Sequence, residues 1–178
     1  MSEYFVTHFI NNAIPAGTRV EGWPMHLTVV PPFLIDAPAS EALVLDTMRH
    51  DGQAIGPLQF EPAHSLGSGA LIIVPGDIDL FGPEDEPESM IKAVKLGGSS
   101  EKLSGLHCRL LESLGALGCR FIDLNPNWSG ANYNPHVTMK SGRTLGEPFI
   151  ATTISLARKD DRGKVVVGTV DMYNQTLS

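Results

Sequence analysis

The sequence predicts an α+β fold built from antiparallel sheets, and three observations carry that expectation. Strand-like runs follow one another in groups instead of alternating strictly with helices. Helical periodicity is confined to two segments. One pattern, H-x-T-apolar, occurs twice, at His26-Leu27-Thr28-Val29 and at His136-Val137-Thr138-Met139. Two copies in strand-like runs are what two related half-domains facing each other would produce.

Taken in order, EYFVTHFI over Glu3–Ile10 is an aromatic and β-branched run closed by Asn11-Asn12, and reads as a strand followed by a turn. MHLTVV at 25–30 alternates and is expected to end at Pro31-Pro32, because proline cannot donate to a ladder. After Pro38, Ser40 can cap a helix through EALVLDTMRH, with Leu43, Val44, Thr47 and Met48 on one stripe and Gly52 as its stop. Strands around Leu58–Leu66 and Ala70–Val74, joined through Gly67-Ser68-Gly69, read as a hairpin.

Between Pro75 and Leu96 the prolines and the acids Asp79, Glu84, Asp85, Glu86 and Glu88 suggest a solvated loop, with Asp77 and Asp79 serving a turn. Ser99 or Ser100 caps a second helix, whose Leu103, Leu106, Leu110, Leu114 and Leu117 recur at three- and four-residue steps up to Gly118. A short strand at Arg120–Leu124, the loop NPNWSGANYNP and a strand at His136–Lys140 follow. The last two runs, PFIATTISLAR and KVVVGTVDMY, separated by KDDRG, form a hairpin.

A chain of 178 residues, 42% apolar and 19% charged, is one domain's worth and can bury a core without disulfides. Its formal charge of −7 argues against an open basic face for duplex DNA. Cys108 and Cys119 have no zinc-site or disulfide-framework spacing. No basic leader and no apolar run of the roughly 18 residues needed to span a bilayer is evident, so a soluble, cytoplasmic protein without membrane association is expected. Neither GxGxxG nor GxxxxGK[ST] occurs, which removes the dinucleotide loop and the P-loop.

The repeated pattern is what points to chemistry. Side chains alternate along a strand, so each His shares a face with the Thr two residues on, while Leu27, Val29, Val137 and Met139 turn to the core. Two imidazoles supply a base and an acid near neutral pH, one removing a proton from a nucleophile and the other delivering one to a leaving oxygen. Two hydroxyls can donate to non-bridging oxygens as charge builds at phosphorus. This chemistry needs neither metal nor cofactor, and no HExxH or Cys partner accompanies the histidines.

The paired motifs, together with MHLTVVPPF and NYNPHVTMKS, resemble the 2H phosphoesterase superfamily, which includes RNA 2′,3′-cyclic phosphodiesterases and the 2′-5′ RNA ligases. The resemblance spans nearly the whole chain, residues 1–178, as a single domain of two lobes that each contribute one motif. It implies two antiparallel sheets related by a pseudo-two-fold axis about a central cleft, helices on the outside, and His26, Thr28, His136 and Thr138 as the catalytic four. Met25 stands where many relatives have proline, and Pro31-Pro32-Phe33 replaces a glycine-containing turn.

Around these four, Trp23 and Phe33 flank the first motif, and Trp128 and Tyr133 lie in the loop feeding the second. They are candidates to stack on a base, or equally to pin the loops onto the core. Lys140 and Arg143, after the second motif, are the cations suited to a second phosphate, while Arg19, before the first, reads better as a solvated surface residue. His8, His50, His64 and His107 have no Thr two places on and read as structural.

The expected activity is a metal-independent phosphodiesterase acting on 2′,3′-cyclic phosphates of RNA ends or nucleotides, or on 2′-5′ linked oligonucleotides, and working as a monomer. The same four residues would serve a hydrolase of cyclic oligonucleotide signals or of ADP-ribose cyclic phosphate. A non-catalytic RNA- or nucleotide-binding module is the reading from a different class, and retention of both His and both Thr favours the enzyme.

Overall fold

The computed structural model describes residues 2–10, 14–20, 24–55, 71–81, 91–98, 100–122, 124, 129–138, 145 and 149–172. Among the described residues, ten strands and two α-helices run in the order β1 (Glu3–Phe9), β2 (Arg19–Val20), β3 (His26–Leu34), α1 (Glu41–Ala54), β4 (Leu71–Phe81), β5 (Ile91–Gly98), α2 (Ser100–Ala116), β6 (Arg120–Phe121), β7 (His136–Thr138), β8 (Phe149–Ala151), β9 (Thr153–Asp160) and β10 (Gly163–Asp171). The fold is α+β, as expected. Where two separate sheets were expected, the strands form one ten-stranded sheet ordered β2-β10-β9-β1-β3-β7-β5-β4-β8, with β6 on the side of β3. Its pairs are antiparallel, and the two halves are stitched at the centre by Leu27 opposite Val137.

Both helices cover one face of this sheet. Leu27, Val29, Val94, Leu96 and Val137 pack there against Val44 and Met48 of α1 and Leu103, Leu106, Leu110 and Leu114 of α2. Burying these α2 side chains accounts for the regular three- and four-residue spacing in the sequence. The helices are tied to each other by Arg109 Nε on Asp51 Oδ1 at 2.9 Å, whose carboxylate is buried. On the opposite face Phe5, Phe9, Ala157 and Val166 form a smaller cluster with Ile14 and Val20. Backbone bonds from Gly17 to Val166 and from Val166 to Thr18 lay residues 14–20 along β10.

Several elements depart from the sequence expectation for identifiable reasons. Strand β3 continues through Pro31-Pro32 to Leu34. Those prolines sit where β1 shifts register, and beyond the short stretch paired with β7; the Pro32 carbonyl accepts from Ile122, so the ladder asks nothing of the missing amides. Ser40 does cap α1, accepting from the Leu43 amide at 3.3 Å, yet Leu43 is exposed and Gly52 lies inside the helix. A Cβ on Gly52 would stand 3.2 Å from Met172 Cγ, so this glycine permits close helix–strand approach in place of a stop.

The segment read as an acidic loop is flanked by more strand than expected. β4 extends to Phe81 and β5 begins at Ile91, pairing Asp79 with Ala93, so Asp77 and Asp79 lie in a strand. Pro75 marks a register shift in that pair, and its disruption of the alternating pattern hid the strand. PFIATTISLAR divides at Thr152 into β8, which joins β4, and β9, which joins β1 and β10. The β9–β10 hairpin closes with Gly163 at φ 106°. The expected strand around 58–66 and the acids at 84–88 lie outside the described residues.

Candidate active site

Strands β3 and β7, the two carriers of H-x-T, are neighbours at the centre of the sheet. With Leu27 opposite Val137, antiparallel pairing sets His26 opposite Thr138 and Thr28 opposite His136. The four side chains occupy the corners of a square on one face, each imidazole beside the hydroxyl of the other motif. Residues directly opposite have Cβ atoms about 4.5–5.5 Å apart and diagonal neighbours about 7–8 Å, so the two imidazoles stand on a diagonal that one phosphate can bridge. Leu27, Val29 and Val137 are buried on the helix side, while His26, Thr28, His136 and Thr138 are half-buried on the other.

Each catalytic candidate ring is anchored in the same way. His26 Nδ1 donates to the Pro24 carbonyl at 2.8 Å, and His136 Nδ1 donates to the Asn134 carbonyl at 2.9 Å. A carbonyl only accepts, so both rings keep a proton on Nδ1 and use Nε2 as the nitrogen that exchanges protons. The same carbonyl supports the imidazolium, and either ring can alternate between neutral and protonated forms without turning.

Registers on either side extend the site across the sheet. Thr7 lies opposite Thr28 and Ser155 opposite Thr7, while Lys95 lies opposite His136, so a polar row crosses the same face as the motifs. Thr7 is fully buried and its Oγ1 donates to the Leu27 carbonyl at 2.9 Å. Phe9 is opposite His26 and Ala93 opposite Thr138, both buried, which bounds the square with apolar neighbours. Lys95, in a segment that reads as loop in the sequence, is exposed and lies opposite His136. The alternation of Lys92, Ala93, Val94, Lys95 and Leu96 was the available signal.

Not every residue chosen from the sequence belongs to the site. Phe33 is fully buried, packed between Tyr4 and Phe121 at ring distances of 6.1 and 6.0 Å, and cannot stack on a base. The proline-rich stretch before it continues as strand and turns the ring inward. Tyr133 is also corrected: its ring is stacked on His107 at 4.1 Å and its hydroxyl donates to the Thr28 carbonyl at 2.7 Å, so it is committed to the protein itself. Burial pushes its phenol well above the ordinary value. Arg19 forks onto Asp160 at 2.9 and 3.2 Å, on the opposite side of β10 from the motif strands. Trp23, Trp128, Lys140 and Arg143 lie outside the described residues.

The arrangement is one antiparallel sheet with an H-x-T strand from each half at its centre and both helices on the far face, a fold shared with solved structures. Among solved structures, the chain is similar to Escherichia coli LigT complexed with 3′-AMP, at 14% identity and TM-score 0.56, over 97% of this chain and 99% of that one. A structure described as a phosphoesterase matches at 14% identity and TM-score 0.50, and the protein TT0787 of Thermus thermophilus at 13% and 0.51, with the same coverage. No family model matches the sequence, and no curated protein does. Among the described residues no helix is long and apolar enough to cross a membrane.

Proposed function

We propose that the chain is a 2H-type phosphodiesterase that opens 2′,3′-cyclic phosphates on RNA ends or nucleotides, or cleaves 2′-5′ linked oligonucleotides, with His26, Thr28, His136 and Thr138 as its catalytic residues. The observation that carries this is the square of two imidazoles and two hydroxyls on adjacent strands, with both rings anchored through Nδ1. A binding module has no use for two rings held in equivalent acid–base poses. E. coli LigT holds 3′-AMP, the phosphomonoester left when a 2′,3′-cyclic adenylate loses its 2′ P–O bond, and this favours the cyclic phosphate as substrate.

The chemistry runs as a paired proton transfer. One His, neutral at Nε2, takes a proton from water as the water oxygen bonds to phosphorus; the other, protonated at Nε2, gives its proton to the ribose oxygen as that P–O bond breaks. The two rings end with exchanged protonation states and re-equilibrate with solvent. Thr28 and Thr138 donate to the non-bridging oxygens, whose charge rises in the five-coordinate state. Four side chains of the protein supply every proton and hydrogen bond this requires, so neither metal nor cofactor has a step.

Incubating the protein in EDTA with 2′,3′-cyclic nucleotides, 2′-5′ and 3′-5′ dinucleotides, cyclic dinucleotides and ADP-ribose cyclic phosphate tests the reading. Hydrolysis of the first two classes is expected to survive chelation. Activity lost in EDTA and restored by a divalent ion would refute the two-histidine mechanism, and binding without turnover across the panel would leave a nucleotide-binding module.

A further inference from the structure

The two motifs meet through little backbone. Among the described residues β7 spans His136–Thr138, and its register with β3 is given by Leu27 opposite Val137. Immediately past that contact, side-chain bonds take over from the ladder.

His107, in the middle of α2, is fully buried four residues after Leu103 and three before Leu110. An imidazole at that position is costly unless both nitrogens are satisfied. Here both are: Nδ1 donates to the Val29 carbonyl at 2.6 Å, and Nε2 accepts the Gly130 amide at 2.9 Å. A carbonyl on one side and an amide N–H on the other fix the ring as the neutral Nδ1–H tautomer, and burial holds its pKa below the ordinary value. Against this ring lies Tyr133, 4.1 Å away and within 10° of parallel, and its hydroxyl returns to the Thr28 carbonyl at 2.7 Å.

The contacts close a circuit. From β3 they pass through Val29 to α2, from α2 to the 3-10 turn at Gly130–Asn132 and to Tyr133, and from Tyr133 back to Thr28. Tyr133 is three residues from His136, so the segment that delivers the second motif is fastened to the backbone of the first motif's threonine.

We propose that the stacked His107–Tyr133 pair is a positioning device that sets the second H-x-T motif in register against the first, so that turnover depends on it although neither residue touches substrate. This rests on the phosphodiesterase reading above. Displacing a reacting group by about 1 Å can cost on the order of 100-fold in rate, so loosening a three-residue strand at this point is expected to matter.

The test uses Tyr133→Phe, which keeps the stack and removes the hydroxyl, and His107→Phe, which keeps a ring and removes both bonds. Tyr133→Phe is expected to lower kcat by about 10- to 100-fold with KM within about threefold of wild type, at a temperature where it is fully folded. Both limbs of the pH–rate profile should persist, since both imidazoles remain in place. His107→Phe should do at least as much, and if it fails to fold, Tyr133→Phe carries the test alone. A Tyr133→Phe enzyme with wild-type kcat would overturn the proposal, and a change confined to KM would place the hydroxyl on substrate instead. Should the wild-type protein turn over nothing in the panel, the functional reading fails separately. Amide exchange then decides the positioning: Tyr133→Phe should accelerate exchange in β7 by at least about tenfold relative to β9, and unchanged protection in β7 would refute it.

Discussion

Replacing His26 or His136 by Asn separates proton transfer from structure, because the geometry says what Asn retains. The Asn side-chain amide reaches the position of Nδ1 and can donate to the carbonyl two residues upstream, Pro24 or Asn134, where the imidazole now donates at 2.8 and 2.9 Å. Both positions are half-buried, so the stability loss is expected to stay below about 1 kcal/mol. What Asn lacks is Nε2. Loss of one proton-transfer function costs roughly 10²–10⁴ in rate, and at about 1.4 kcal/mol per decade this raises the barrier by about 3–5 kcal/mol. The two losses should not multiply, since either ring without its complement leaves the cycle broken, and the double variant is expected to be little slower than the worse single one. Turnover of a 2′,3′-cyclic nucleotide across pH 5 to 9, beside thermal melts, reads both quantities. Wild-type protein should give a bell, and each Asn variant should lose one limb. Single variants with wild-type turnover on every substrate would make the paired motif a structural repeat.

Two further outcomes follow from the same structure. Lys95→Ala should lower kcat/KM about tenfold for substrates carrying a second phosphate, mostly through KM, because Lys95 lies opposite His136 in the strand ladder and a charged hydrogen bond is worth about 1.5–3 kcal/mol; an equal effect on a substrate with a single phosphate would contradict it. His8 and His107 are both held below the ordinary value of 6.5 by burial, partly offset by their bonds to Thr153 and Val29 carbonyls, so below about pH 6.5 the unfolded chain takes up protons that the folded one refuses. Stability is therefore full above about 6.5 and falls as pH drops toward the lowered values; a urea midpoint that stays flat from pH 7.5 to 5 would refute this.

The square of His26, Thr28, His136 and Thr138 was legible because it depends on the simplest regularity of a strand. A period of two puts His and Thr on one face, and the recurrence of the pattern proposed that two such faces belong together. The α2 stripe was legible for the same kind of reason, with Leu103, Leu106, Leu110 and Leu114 all buried. Joining the halves into one sheet was not legible, because strand order is a long-range fact: Leu27 and Val137 give no local sign of pairing. Where local signals misled, proline was usually responsible. Pro31-Pro32 and Pro75 were read as ends, but at a register shift or beyond the partner's reach a proline leaves a strand intact. That error hid Lys95, and it made Phe33 look like part of a loop rim when it is core. Tyr133 was noticed for its aromatic surface and His107 set aside as structural. A histidine on an apolar stripe was the clue that a hydrogen-bonded partner had to exist, though not that the partner would be the loop entering the second motif.

The position of the motifs within the sheet explains why so few residues suffice. β3 is held between β1 and β7, and β7 between β3 and β5, so neither carrier is an edge strand and the direction of each side chain is set from both sides. The helix-facing side chains of the same strands, Leu27, Val29 and Val137, are fully buried, and any twist that would turn a histidine or threonine away from its neighbours would drag one of these out of the core. Burial of a Val or Leu side chain is worth about 1.5–3 kcal/mol, so the hydrophobic face resists such rotation without any direct contact to the polar one. The Pro24 and Asn134 carbonyls then hold the rings about their own χ angles, while the contacts of His107 and Tyr133 tie the segment entering β7 to β3. An alternating strand thus divides the work by parity: one set of residues fixes the backbone, and the other is left to present two imidazoles and two hydroxyls together on the opposite face.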